Sequence, residues 1–450
     1  MIERTPADQP IIRDFGDGLV LRRATSADTE ALAALNALTL AEPGWPESSH
    51  GVAVCTRDLA SRPHPTFAAG GFTLVEDTRS GAIVSSLCLI PQTWTYGGIP
   101  FGVGRIELVS TRPEYRRRGL VRSQMEVAHQ WSAELGHSVQ VISGIRNFYR
   151  QFGYEMGLSM EGGRTTYPGL IPELKDGAVE AFHVRRAEDR DLAFLAQTYE
   201  QAERRHLVTC LRDQTVWRYE LSGHSEDNID RMELRVVETA AGEPVGMLVH
   251  HPWSMDQRLG VIAYELKSGV SWLAVTPSVL RYLDRTAKEY AARSPRERYG
   301  GLAFRLGLDH PVYQAMPDTL PRAFEPYAWY VRVADLLGFL RQVAPALERN
   351  LADSVAAGHS AEIRVSFYRW GLRLGLENGK LSAIERWQPT PEERGLAGFP
   401  YLTFLQLLFG YRSLDELKHA YADCWAKNEE VRVLLSSLFP KRPSNVWALE

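Results

Sequence analysis

The chain has 450 residues, enough for about three domains of roughly 150 residues each. Hydrophobic residues make up 44% and charged residues 24%, so sizeable cores can form; the net charge of −4 gives no global case for nucleic acid or an anionic membrane. Residues 1–14 are polar and charged, which predicts no signal peptide, and no stretch reaches the ~20 apolar residues of a membrane span.

From the N terminus, Val20, Leu21, Arg22, Arg23 and Ala24 predict a strand. Ser26, Ala27 and Asp28 predict a cap, and Leu32, Leu35 and Leu38 an apolar helix face. Cys55, Cys88, Cys210 and Cys424 are scattered, with no CxxC pair and no histidine at ligand spacing. No metal site is expected, and the pattern fits reduced thiols in a cytoplasmic protein. Residues 72–76 read as a strand, followed by a Ser80-Gly81 turn and a strand through Leu87 and Leu89. Residues 105–110 predict a further strand and 111–115 a turn. Residues 116–123 then open a helix with a buried stripe of Val121, Met125, Ala128, Trp131 and Leu135, ended by Gly136.

A Pro- and Gly-rich stretch, 162–177, precedes an echo of the start. His183, Val184, Arg185, Arg186 and Ala187 repeat the first strand, and an acidic cap leads to a helix through Leu192, Leu195 and Tyr199. Residues 234–238, an Ala241-Gly242 turn and residues 245–249 repeat the hairpin. Residues 272–275 predict a strand, and a helix follows Pro277. Several elements recur in one order, which predicts a duplicated αβ unit. A third, α+β region begins near Arg332, with a helix over 333–343 that Pro345 ends. Ile363, Val365 and Phe367 alternate; Leu372, Leu374 and Leu376 lead through an Asn378-Gly379 hairpin turn to Leu381 and Ile384. Residues 413–416 have capping-box spacing before Leu417 and Tyr421.

The chemistry concentrates at the arginine-rich helix start. Free N–H groups and the partial positive charge of a helix N-terminus bind phosphate, and Gly119 allows close approach to the backbone. The alternative is a solvated basic surface. Arginines there oppose the helix dipole by ~0.3–1 kcal/mol each, which favours a bound anion. No wider basic stripe or aromatic platform supports a nucleic-acid partner.

Arg116-x-x-Gly119-x-Val121 after a strand resembles the acyl-CoA pyrophosphate loop of the GNAT superfamily of N-acetyltransferases, with Val121 in place of the usual Gly or Ala. Asn147-Phe148-Tyr149-Arg150-Gln151-Phe152-Gly153-Tyr154 resembles a signature of the enhanced intracellular survival (Eis)-like branch, and the ending 438–447 is similar to that branch's ending. The resemblance implies two tandem GNAT-type α+β folds, each a mixed sheet flanked by helices. A C-terminal sterol-carrier-protein-like α+β domain follows. The expected boundaries are 1–165 for the catalytic unit, 178–331 for a degenerate second unit, and 332–450 for the third, whose tail reaches the active site.

The same resemblance implies acetyl-CoA as donor and a metal-free acetyl transfer to a primary amine. Val109, Ser110 and Thr111 would pair with the pantetheine arm. Arg117, Arg118, Gly119, Leu120, Val121 and Arg122 would hold the phosphates, and Gly144 and Ile145 would complete the cleft. Tyr149 would be the acid; on the residues alone it reads first as a core aromatic beside Phe148 and Phe152. The base would be the terminal carboxylate or the side chain of Glu450, anchored by Trp447. Glu107 and Glu155 are other carboxylates that could serve, each reading first as structural. His129, His137 and the His250-His251 pair show no partner pattern. The second unit has Pro277-Ser278-Val279-Leu280-Arg281-Tyr282 where the first has its arginines and glycine, so it is expected to bind no CoA. The acceptor would be a polyamine, aminoglycoside or lysine side chain, and the assembly a homo-oligomer, a hexamer. A longer-chain acyl-CoA transferase and a non-catalytic CoA-binding regulator are the alternatives.

Overall fold

The structure is a computed structural model that describes residues 10–41, 47–68, 70–293 and 298–450. Three sheets organise it. The first runs, in spatial order, Arg13–Gly16, Leu19–Arg23, Phe72–Asp77, Ala82–Tyr96, Ile99–Thr111, Val139–Ile142, Tyr327–Val333 and Glu155–Met160, with Val208–Cys210 added along Ala82–Tyr96. The second runs Arg322–Phe324, Gly163–Thr166, Gly301–Phe304, Arg258–Leu266, Pro244–Met255, Glu233–Thr239 and Phe182–Arg186. The third runs Lys380–Trp387, Gly371–Glu377, Ala361–Ser366, Ala397–Gly398 and Trp425–Ala426.

The first two sheets repeat one plan down to a buried ion-pair knot. Arg22 donates from Nε to Glu76 at 2.9 Å and from both terminal nitrogens to Asp28 at 2.8 Å. Arg185 donates in the same way to Glu238 at 2.8 Å and to Asp191 at 2.6 and 2.8 Å. Asp28 and Asp191 each also take a backbone N–H three residues upstream, so each knot ties the first strand to the cap of the following helix. Duplication is thus visible in side-chain chemistry as well as in element order.

The two halves also exchange strands. Tyr327–Val333 lies between Val139–Ile142 and Glu155–Met160, antiparallel to both. Its Trp329, Tyr330 and Val331 are buried, as a central strand covered on both faces requires. Gly163–Thr166 goes the other way and pairs with Gly301–Phe304 and Arg322–Phe324. The expected boundaries at 165 and 331 therefore fall within strands or beside them, and each sheet is closed by chain from the other half.

Some local expectations are corrected. Residues 272–275 are not a strand but the first turn of the helix Trp272–Arg293, which contains Pro277. Ser271 starts that helix by accepting the N–H groups of Ala274 and Val275, and Val275, Val279 and Leu283 bury one face. Pro345 does not end its helix either; Leu336–Ala352 runs through it. Phe339, Leu340, Val343, Leu347 and Leu351 are all buried on that face, which outweighs the ~3 kcal/mol a helix-interior proline costs. Leu38 and Leu135 stand exposed at the ends of their helices rather than in the stripes. The Asn378-Gly379 turn has both residues at positive φ, as a two-residue hairpin loop demands. The Ser413–Glu416 capping box forms reciprocally at 3.2 and 2.8 Å.

The third unit shares its core with the first. Tyr96 and Phe101 pack edge-on against Phe339, and the Tyr96 hydroxyl donates to the Leu408 carbonyl at 2.7 Å. This packing starts the tail, 439–450, on a path back between the two larger sheets.

Candidate active site

Ile99–Thr111 and Val139–Ile142 are parallel neighbours, yet they pair only between residues 103–105 and 139–141. Beyond Arg105 the strands part. Leu108 has φ +51°, and the ladder to Ala82–Tyr96 shifts register at Ser86/Cys88. A bulge of this kind bends the strand and re-aims its edge. Val109, Ser110 and Thr111 lie on the departing segment, and Gly144 and Ile145 lie just past the end of the other strand. Gly144 has φ +114°, which only glycine adopts readily, and its carbonyl accepts the Tyr327 hydroxyl at 2.5 Å. The wedge between the strands leaves main-chain groups without a ladder partner, so an extended amide-bearing chain can bond there.

At one side of this wedge lies the arginine turn. The helix begins at Leu120 and runs to Glu134, so Arg116–Gly119 precede it rather than opening it. Arg117 and Gly119 are both left-handed, at φ +62° and +78°, and Gly119 is an N-cap with no side-chain bond to the first turn. Backbone N–H groups curled this way at the positive end of a helix are suited to holding an anion. Arg118 lies over the Tyr115 ring, and Arg122 bonds Gln151 at 2.8 Å and lies over Phe152. Leu120 is buried. Val121 packs partly buried beside Met125 and Tyr149, which accounts for a branched apolar residue there.

Tyr149 sits in a 3-10 turn, Phe148–Phe152, bracketed by left-handed Asn147 and Gly153. It is buried against Phe148, Tyr154 and Tyr330. Burial first, then the nearby Glu107 carboxylate, pushes its hydroxyl above the ordinary tyrosine range, so it keeps its proton at neutral pH.

The tail is held by side chains that sequence reasoning missed. Arg212 donates to the carbonyls of Trp447 at 2.9 Å and Ala448 at 3.0 Å, and lies 3.5 Å over the Trp447 ring. Trp447 also packs edge-on against Tyr199 and Trp217 of the second unit. Gln92 and Arg105 donate to the Leu449 carbonyl at 2.6 and 3.0 Å. The buried Arg105 further pairs with the Glu450 side chain at 2.5 Å and with Glu107 at 3.1 Å. His64 Nδ1 accepts the N–H groups of Thr66 and Phe67, so its proton is on Nε2, which donates to the Glu450 main-chain oxygen at 3.1 Å. Burial keeps this imidazole neutral, with a pKa of about 4. Glu155 pairs instead with Arg150 at 2.6 Å, a structural contact. His129 bonds the Tyr154 hydroxyl, and His137 bonds Ser132.

A cavity of about 280 Å³ opens beside Glu450 and Arg105, with Asp230, Glu161, Trp329 and Trp447 on its walls. Arg105 had a sequence signal, since it alternates with Glu107 in an otherwise apolar strand. Asp230 and Arg212, far along the chain, had none. Among the described residues no cluster of His, Cys, Asp and Glu could hold a metal, and no helix is long and apolar enough to cross a membrane.

Residues 21–157, the first unit with its wedge and arginine turn, match the family model described as an acetyltransferase (GNAT) domain. No curated protein matches. Three solved structures share the fold over nearly their whole length. One is a protein of unknown function from Enterococcus faecalis, titled a probable N-acyltransferase (13% identity, TM-score 0.63, 95% of this chain and 97% of the other). Another is a GCN5-related N-acetyltransferase from Kribbella flavida (17%, 0.62, 96% and 100%). The third is Eis1 from Mycobacterium abscessus (13%, 0.58, 95% and 99%). The chain carries a GNAT-type fold, and the likeness extends over the second and third units.

Proposed function

We propose that the protein is an acetyl-CoA-dependent N-acetyltransferase acting on a primary amine by direct attack. The observation that carries this reading is the position of Arg105. It is the last residue paired before the strands part, and it holds Glu450 at 2.5 Å. The acyl-donor wedge and the tail carboxylate thus converge on one residue. Val109–Thr111 and Gly144-Ile145 flank the wedge for pantetheine, and Arg117–Arg122 with the Gly119 turn take the phosphates. A carboxylate at Glu450 accepts the amine's proton. The amine lone pair attacks the thioester carbon, the C–S bond breaks, Tyr149 gives its proton to the departing thiolate, and the second proton shed by the new amide nitrogen returns to the Tyr149 phenolate. A tyrosine held above its ordinary pKa of ~10 stays protonated until the thiolate forms.

The placement of the chain in the Eis-like branch, the sterol-carrier-like character of the third unit and the homo-hexamer rest on the sequence resemblance. The second unit acts as wall and clamp: the helix Trp272–Arg293 starts without the glycine and arginines of the first. Thiol release from acetyl-CoA, measured against longer acyl-CoA donors and a panel of amines, tests the reading. The expected result is turnover with acetyl-CoA and a primary amine. CoA binding without turnover of any amine would overturn it.

A further inference from the structure

The cavity beside Glu450 is unevenly charged. Glu161 is matched by Arg305 at 2.5 Å and Glu450 by Arg105 at 2.5 Å. Among the described residues no arginine or lysine lies within ion-pair distance of Asp230, and its side chain accepts one hydrogen bond, from the Cys55 thiol at 3.1 Å. Its main-chain N–H donates to Asn228 Oδ1 at 2.9 Å, and the Asn228 amide in turn donates to the buried Asp58 at 2.7 Å. Asp230 is half-buried, and the positive groups acting on it are Arg105, which is already engaged by Glu450 and Glu107, and His224. A partly desolvated carboxylate with no cation of its own favours a bound one. Burial first, and then Glu450, raise Asp230 to a pKa of about 7.

The rest of the wall is apolar or neutral. Trp253, Trp329 and Trp447 line it with Met160, Met232 and Met255. His251 and Trp329, both more than nine-tenths buried, also line it, and the His251 Nδ1 and Trp329 Nε1 have no hydrogen-bond partner among the described residues. Arg305 and His250 add to burial in keeping the His251 imidazole neutral, with a pKa of about 3. The volume, about 280 Å³, stands at the small end of the ~300–1,000 Å³ usual for ligand sites. A multi-ring oligosaccharide or a folded protein's surface would not be enclosed there.

From the unpaired Asp230 and the small tryptophan-lined cavity, we infer that the acceptor is a small arylalkylamine whose ammonium is anchored by Asp230 beside Glu450. This rests on the N-acetyltransferase reading above. The ammonium supplies the missing charge, and the ring fills the apolar wall. Asp230 binds the amine, and Glu450 takes the proton.

The test is steady-state thiol release from acetyl-CoA with tyramine, tryptamine, spermidine, kanamycin and a lysine peptide. Tyramine or tryptamine is expected to exceed the others in kcat/KM by at least tenfold. Asp230→Asn should raise KM for tyramine at least tenfold with kcat and CoA affinity near wild type. In the wild type, KM for tyramine should rise as pH falls below about 7, because the anchor protonates; Asp230→Asn should be flat there. Spermidine, kanamycin or the peptide turning over as well as tyramine would overturn the substrate class and leave the acetyltransferase standing. No turnover of any amine would instead overturn the acetyltransferase. If Asp230→Asn does not fold, the wild-type KM profile decides; a flat profile refutes the anchor.

Discussion

Arg212 is the most exacting test of how the tail is held. Its side chain is fully buried and pairs with Glu220, 3% exposed, at 2.7 Å. It also bonds two tail carbonyls and covers Trp447. Substitution by Met preserves the stem's packing but leaves Glu220 buried without its arginine and two carbonyls without donors. Breaking a buried pair on one side costs about 3–5 kcal/mol. His224, 3.7 Å from Glu220, can share the stranded charge and holds the cost toward the lower end. Removing both charges, Arg212→Met with Glu220→Leu, takes away the stranded carboxylate and should recover about 1.5 kcal/mol or more. That recovery is the coupling a double-mutant cycle isolates. Urea unfolding followed by tryptophan fluorescence measures both, since Trp217 and Trp447 lie in this cluster. A single variant within about 1 kcal/mol of wild type, or a double variant no better than the single, would refute the reasoning.

Other outcomes follow from the same structure. Tyr149→Phe should lower kcat by about 10²–10⁴-fold with CoA affinity unchanged, checked by thiol release and calorimetry. Gly119→Val should weaken CoA binding at least tenfold in calorimetry, because a β-branched residue is strained at φ +78° and shifts the backbone N–H groups of the turn, although its Cβ itself meets open space. Deleting residues 447–450 should end turnover while leaving CoA affinity within about threefold of wild type. Acid should destabilise the fold steeply. Burial holds His64, His129, His206 and His250 at about 4 and His251 at about 3, against ~6.5 when unfolded. Below pH 6.5 the unfolded chain therefore binds protons that the folded one refuses, so this stability is complete above 6.5 and lost as pH falls toward 4. Urea midpoints at pH 7.5, 6 and 5 should decrease in that order; a flat series would contradict the burial of these imidazoles.

The sequence made local features legible where one segment carries the whole signal. The Arg22 and Arg185 strands, the Asn378-Gly379 hairpin and the Ser413 capping box are each written in a few consecutive residues, and each is present. The arginine turn was legible for the same reason, apart from where its helix starts. What failed were judgements that depend on distant chain. Residues 272–275 are too few to distinguish strand from helix by period, and burial against the second sheet decided for helix. Pro345 reads as a stop, yet a long buried face carries the helix through it. Arg212 and Asp230 act only after the second unit meets the tail, and no spacing along the chain connects them with Trp447 or Glu450.

The strand exchange makes the second unit a structural requirement of the first. The first sheet needs Tyr327–Val333 between two of its own strands, and the chain reaches that slot only after completing the second sheet. Leaving the slot, the chain runs directly into the helix Leu336–Ala352, whose Phe339 packs on Phe101 of the first unit. The third unit is thereby fixed against the first, and its tail starts from a defined point. Arg212, supplied by the second unit, closes the path over Trp447. A second unit free to drift would move the Arg212 clamp and the Asp230 wall together, while Arg105 and Gln92 stayed with the first. Holding Glu450 at Arg105 therefore requires all three units, although the strand wedge and the arginine turn belong to the first alone.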